Sequence, residues 1–257
     1  SINLTIDEDK NKGLFGKFMG GYGSDKRYES SALINYFKNK RKISVLASAN
    51  NINSTGFSMD EVFDNMGGGR NVSYYYNSDG SYGIGNMRFG GNRGITESNM
   101  LGVNYADQWF KNFDSSGSYF FTNSNSTNVN KTTQINLLPT GNFTTSSTAQ
   151  SNDDRYGHNL NSTLEYKIDS TGSFEIRTRF SKANSKYQST TSQASIDEDG
   201  LLLNEASSET LDDSDRNNFT NNLNFNKAFR RKGRNINVSF SNDNSIDKAN
   251  SLNQSST

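Results

Sequence analysis

Segments of about a dozen residues in which apolar and polar side chains alternate recur along this chain. They are joined by very short turns and very long polar stretches in strict rotation. The clearest pair reads Leu160, Ser162, Leu164, Tyr166, Ile168 and then, after a tight turn, Phe174, Ile176, Thr178, Phe180. Between them fall Asn159, Asn161, Thr163, Glu165, Lys167 and Glu175, Arg177, Arg179, Ser181. Side chains in a strand point to opposite faces with period two, so each segment has one greasy and one charged face. Short turns at one end and long loops at the other is the pattern of an outer-membrane β-barrel.

Composition resolves in the same direction. The apolar content is 31%, below the ~45–50% usual for a soluble domain. Aromatics nevertheless make up 12%, and 27 basic residues balance 27 acidic ones, whereas disordered chains are aromatic-poor. A barrel reconciles these facts, because its interior and loops are polar and only alternate strand residues meet lipid. No run of about 18 apolar residues exists to form a membrane helix. The start Ser1-Ile2-Asn3-Leu4 lacks signal-peptide character, as expected of a mature chain or a piece of a longer one. Cysteine is absent, which excludes disulfides and thiolate metal sites. The single proline suits long hydrogen-bonded strands. Neutral charge gives no footing for a nucleic-acid partner.

The pattern predicts an all-β fold, an antiparallel transmembrane β-barrel, with about nine strands over residues 12–257. The strands are expected near 13–23, 27–37, 41–52, 96–110, 113–123, 159–168, 173–181, 216–229 and 234–244. Three long external loops, 53–95, 124–155 and 187–216, separate short periplasmic turns at Lys38–Lys40, Lys111–Asn112, Asp169–Gly172 and Arg230–Gly233. A short external turn is expected at Ser24–Lys26. Bacterial barrels have even strand numbers, so nine implies an incomplete segment of a larger barrel. Glu165, Lys167, Glu175, Arg177 and Arg179 are expected to face the lumen, satisfying one another across strands. Tyr36, Trp109, Phe113, Tyr166, Phe174, Phe180, Phe225 and Phe229 are expected on the lipid face. The rings gather beside the turns, as girdle aromatics do.

Catalysis has little footing. His158 is the sole histidine, and the serines and threonines lack a His/Asp set, so no catalytic residue is assigned. Gly67-Gly68-Gly69 and the glycines of 83–94 lack the lysine spacing of a phosphate loop. Ser58–Asn65 is predicted as a short helix that folds back over the barrel mouth or meets a partner. Asp197, Glu198, Asp199 and Asp212, Asp213, Asp215 could offer carboxylates to Ca²⁺, but the register favours a solvated acidic loop. No cofactor or metal is assigned.

A chain of short motifs carries a resemblance. These are Gly13-Leu14-Phe15-Gly16-Lys17, Gly20-Gly21-Tyr22-Gly23, Asn35-Tyr36-Phe37 and Ser48-Ala49-Asn50-Asn51-Ile52-Asn53. They continue with residues 56–69 (GFSMDEVFDNMGGG), Gly94-Ile95-Thr96 and Leu164-Glu165-Tyr166-Lys167-Ile168-Asp169-Ser170. In this order they resemble the outer-membrane β-barrel family of TonB-dependent-receptor-like proteins in Bacteroidetes, over about residues 1–190. The resemblance implies that residues 1–11, through Ile2-Asn3-Leu4-Thr5, form the connection from the end of a plug domain. It also implies a cell outer membrane location, lipid and lipopolysaccharide around the barrel, and a nutrient uptake role. The partners implied are a TonB-type energy-transducing protein, acting through a plug, and surface lipoproteins. The other reading is a structural barrel in a secretion, motility or surface-lipoprotein assembly. Neither makes the chain an enzyme.

Overall fold

The computed structural model describes residues 11–65, 74–77, 81–84, 87–89, 94–139, 141–231 and 233–257. The strands are β1 (Lys12–Tyr22), β2 (Tyr28–Lys38), β3 (Arg41–Asn50), β4 (Tyr74–Tyr76), β5 (Tyr82–Ile84) and β6 (Met87–Phe89). They continue with β7 (Ile95–Phe110), β8 (Phe113–Asn136), β9 (Phe143–Asp169), β10 (Gly172–Asp197), β11 (Leu202–Ala228) and β12 (Asn235–Ser256). Among the described residues an α-helix, α1, spans Met59–Asn65, and a single 3-10 turn spans Ser24–Lys26. The Ile2–Thr5 stretch of the expected plug connection and the Gly67–Gly69 run lie outside the described residues.

The main sheet has nine strands in the order β1-β2-β3-β7-β8-β9-β10-β11-β12. Every pairing is antiparallel and joins neighbours in the chain, except that β3 meets β7 across the 51–94 segment. The short turns are built from residues that tolerate φ > 0. Asn39 and Asn112 take up φ of 53° and 67°, a conformation where asparagine is enriched. The sheet is open, with β1 and β12 as its two edges.

Two of the expected long loops are strands instead. Residues 124–155 form the far arms of the β8–β9 hairpin, and 187–216 those of β10–β11. Only 137–142 and 198–201 remain as connections. The far arms are rich in Ser, Thr and Asn on both faces, so they carry no period-two signal. Their ladders are held by backbone hydrogen bonds, which do not depend on side-chain polarity. The acidic group at 197–199 caps a turn: Asp197 Oδ1 accepts from the Asp199 and Leu201 amides at 3.0 and 2.7 Å. Gly200 supplies the left-handed residue at φ 83°. Asp212, Asp213 and Asp215 lie on β11, Asp213 and Asp215 on one face and Asp212 on the other.

Described parts of the remaining expected loop, 53–95, fold back onto the sheet. Phe57 and Val62 from this segment, with Tyr82 of β5, bury Leu33, Leu46, Met100 and Phe120. This is the apolar core, and it lies on one face of the sheet only. That face is termed inner below, and the opposite face outer.

Candidate functional site

Two adjacent register rows define the two faces. On the outer face, Ile34, Val45, Val103, Tyr119, Leu160, Phe180 and Phe219 stand opposite one another in turn across seven strands. All are apolar or aromatic. One residue along, the inner row reads Leu33, Leu46, Gly102, Phe120, Asn159, Ser181, Asn218. It is apolar where the 51–65 segment covers it and polar where that cover ends.

The outer row belongs to a band without Asp, Glu, Lys or Arg that crosses all nine strands. On β9 it runs from Tyr166 to Tyr156, on β10 from Phe174 to Phe180 and on β11 from Phe225 to Asn217. Glu97, Asp154, Lys182, Asp215 and Lys248 bound it on the side away from the short turns. Lys12, Lys38, Arg41, Asp107 and Lys227 bound it beside them. Relative to the Ile34–Phe219 row, the short-turn limit drops four residues from β2 (Lys38) to β11 (Lys227), over six strand steps. With ~3.3 Å per residue and ~4.8 Å per strand, a slab with flat faces then crosses strands tilted by roughly 25°. The band is roughly 20–30 Å tall on this geometry, against ~25 Å for the apolar belt of outer-membrane barrels.

Aromatic residues sit at both limits. Beside the turns, Trp109 stacks on Phe113 (centroids 5.5 Å apart) and donates from Nε1 to the Tyr105 hydroxyl at 2.9 Å. Phe113 also contacts Phe110 and Tyr166. Tyr36, Phe174 and Phe225 share this face, and Phe229 lies just beyond β11. Phe180 belongs to the opposite limit of the band. The residues that the sequence reading passed over lie at that limit too. His158 shares Nδ1 with the Tyr119 hydroxyl at 2.8 Å and packs among Phe121, Tyr156 and Tyr119. The histidine is therefore an outer-face residue beside rings, not a member of a catalytic set. Adjacent aromatics at 119, 121 and 156 were the signal that could have placed it.

Glu165, Lys167, Glu175, Arg177 and Arg179 lie together on the inner face, near the turns. Register puts Asp114, Glu165 and Glu175 side by side in one row. The cations answer along the strand or diagonally, not directly across. Arg177 meets Glu175 at 2.9 Å, while Lys167 meets Glu165 at 3.7 Å and Asp114 at 3.8 Å. These pairs are partly exposed, so each is worth no more than about 1 kcal/mol. No ion pair engages Arg179 among the described residues.

The cover over the inner face is held by specific contacts. Ser58 and Glu61 form a capping box: the Ser58 amide donates to Glu61 Oε2 at 2.9 Å, and the Glu61 amide to Ser58 Oγ at 3.1 Å. Lys17 on β1 ties Glu61 to the sheet at 3.0 Å. The Ser58 amide, with Lys17 adding to it, holds the Glu61 carboxyl below its ordinary range. Buried Tyr82 donates its hydroxyl to the Phe57 carbonyl at 2.8 Å, and burial pushes its pKa well up.

Beyond this cover, away from the turns, the inner face opens into a polar trough of about 870 Å³. Thr96, Ser124, Arg155, Tyr187 and Arg216 are among its lining residues. Asp153 and Asp247 pair the two guanidiniums at 2.7 and 2.9 Å. Hydroxyls, amides and paired charges suit a polar, hydrogen-bonding ligand. Among the described residues, no group of three His, Cys, Asp or Glu could hold a metal ion. Among the same residues no helix is long and apolar enough to cross a membrane. No family model matches the sequence, and no curated protein sequence matches it.

Proposed function

We propose that this sheet is part of the wall of a bacterial outer-membrane β-barrel that serves nutrient uptake, of the TonB-dependent-receptor-like kind its motifs resemble. The outer band carries the reading. A belt of bilayer height on nine strands, free of Asp, Glu, Lys and Arg and mainly apolar, with Thr178, Asn221 and Asn242 among its uncharged polar members, aromatics at both limits and charges on the other face, fits what lipid demands of a barrel wall. In this reading the short turns lie in the periplasm, and the β8–β9 and β10–β11 hairpins project outside. The inner face lines a lumen that the 51–65 segment partly fills. Unpaired strand edges are not tolerated in hydrocarbon, so β1 and β12 are paired by further strands in the closed wall. Both edge strands run in the same direction, so antiparallel closure takes an odd number of them. Substrate engages the external side of the lumen, with the polar trough as its first contact, and a TonB-type partner supplies energy through a plug.

A second reading, a structural barrel in a larger outer-membrane assembly, draws on the hairpins. Strands of 24–27 residues far exceed the ~9–11 needed to cross and present a large surface to lipoproteins or other partners. A strain lacking the protein, compared with one restored by the full gene, separates the two. Uptake of labelled oligosaccharides, peptides and metal chelates is measured with and without a protonophore. Loss of energised uptake of at least one class is expected. Unchanged uptake of every class, with loss of a surface protein, overturns the transport reading in favour of the structural one.

A further inference from the structure

Overall neutrality conceals a segregation of charge along the strands. The short turns and their flanks, 38–42, 110–113, 169–172 and 227–235, hold ten of the 27 cations and one of the 27 acidic residues. Two clusters stand out. In the first, Lys12 stands directly opposite Lys38, and Lys38 directly opposite Arg41. Arg41 has Asp107 at 2.7 Å, but Lys12 and Lys38 have no acidic partner among the described residues. Like charges placed directly across a ladder oppose its formation, so this row is costly unless an anion lies over it. In the second, Arg230, Arg231 and Arg234 crowd one turn with no acidic partner among the described residues. The turn is closed by backbone bonds, Phe229 N–H to the Arg234 carbonyl at 2.9 Å and Arg234 N–H to the Arg231 carbonyl at 3.1 Å. The guanidiniums are therefore not needed to hold it. They line an open cleft of about 710 Å³ with exposed Phe229 and Ile236.

Both clusters lie at the short-turn limit of the apolar band. Lys12 and Lys38 are on the outer face, two residues from Leu14 and Tyr36, which are both exposed. Whatever covers the band thus also meets these cations. We propose that this rim binds the phosphates of anionic phospholipids in the leaflet on the short-turn side. The proposal rests on the membrane reading above. The long aliphatic stems of Lys and Arg lie along the apolar flank while their charged heads reach the phosphate layer. Arginine forks bind phosphate oxygens two at a time. Near an anionic surface each cation strengthens binding by roughly fivefold, an effect that salt screens.

The full chain is reconstituted into phosphatidylcholine vesicles with and without phosphatidylglycerol. Vesicle flotation is scored, then the protein is extracted gently and its retained phospholipid quantified by mass spectrometry at low and high salt. Enrichment of phosphatidylglycerol by about tenfold over the bulk ratio is expected at low salt. Lys12→Gln with Lys38→Gln, and separately Arg230→Gln with Arg231→Gln and Arg234→Gln, each reduce it several-fold. Lys182→Gln, at the other limit of the band, leaves it unchanged. A floating protein that retains the two lipids in bulk ratio, or variants that retain wild-type enrichment, overturns this proposal alone. A chain that does not float overturns the membrane reading and this proposal with it.

Discussion

Gly102 shows how one residue sets the packing of the inner face. It stands between Leu46 and Phe120, and a Cβ there would lie 2.4 Å from the Phe120 ring. The missing side chain is the space that the fully buried ring occupies. Gly102→Ala is expected to destabilise the fold by about 1–3 kcal/mol through overpacking, read as a lower urea midpoint for the refolded protein. Phe120→Leu in the same chain recovers part of that loss, and two purely additive effects would contradict the proposed contact. The covering of this face was legible in the sequence at particular residues. Leu33, Leu46 and Phe120 each sit in the middle of three consecutive apolar or aromatic residues, which breaks the alternation expected of a strand with one polar face. Such triplets mark strands buried on both sides. A strict period-two pattern picks out only their outward neighbours.

At the scale of elements, the turn-proximal halves of the strands were readable and the far halves were not. Near the turns, lipid-type side chains alternate with charges, and strand starts and stops fell within a residue or two of expectation. From 124 to 155 and 187 to 216, both faces are hydroxyl- and amide-rich, so side-chain pattern carries no strand signal there. Helix α1 was readable from the helical spacing of Met59, Val62, Phe63 and Met66, but its docking partner Lys17 lies 44 residues away from Glu61 in sequence. The docking gives a pH dependence. The Glu61 carboxyl has a folded pKa below its unfolded one. Its contribution to docking is therefore full above the ordinary carboxylate pKa and is lost as pH falls through the depressed value. Amides of residues 59–65 are expected to lose hydrogen-exchange protection below about pH 4, after correction for intrinsic exchange rates. Glu61→Gln removes that acid step. A step of equal size in the variant would assign the transition to another group.

At the scale of the molecule, nine strands carry one continuous outer band, yet both edges of the sheet are open. In water this arrangement leaves a large apolar face exposed, including Leu14, Phe18, Leu101, Trp109, Val238 and Phe240. In the proposed reading a bilayer covers that face, and closure with further strands pairs the edges. The cationic turns and the aromatic limits then fall at the two interfaces without further adjustment. The chain has a single tryptophan, and Trp109 lies 58% exposed on the outer face at the short-turn limit of the band. Its fluorescence in vesicles of brominated phosphatidylcholine tests the central claim most directly. Strong quenching by bromines close to the headgroups is expected, with weaker quenching by bromines near the bilayer centre and little by aqueous acrylamide. Free quenching by acrylamide with none from any brominated lipid would contradict that claim.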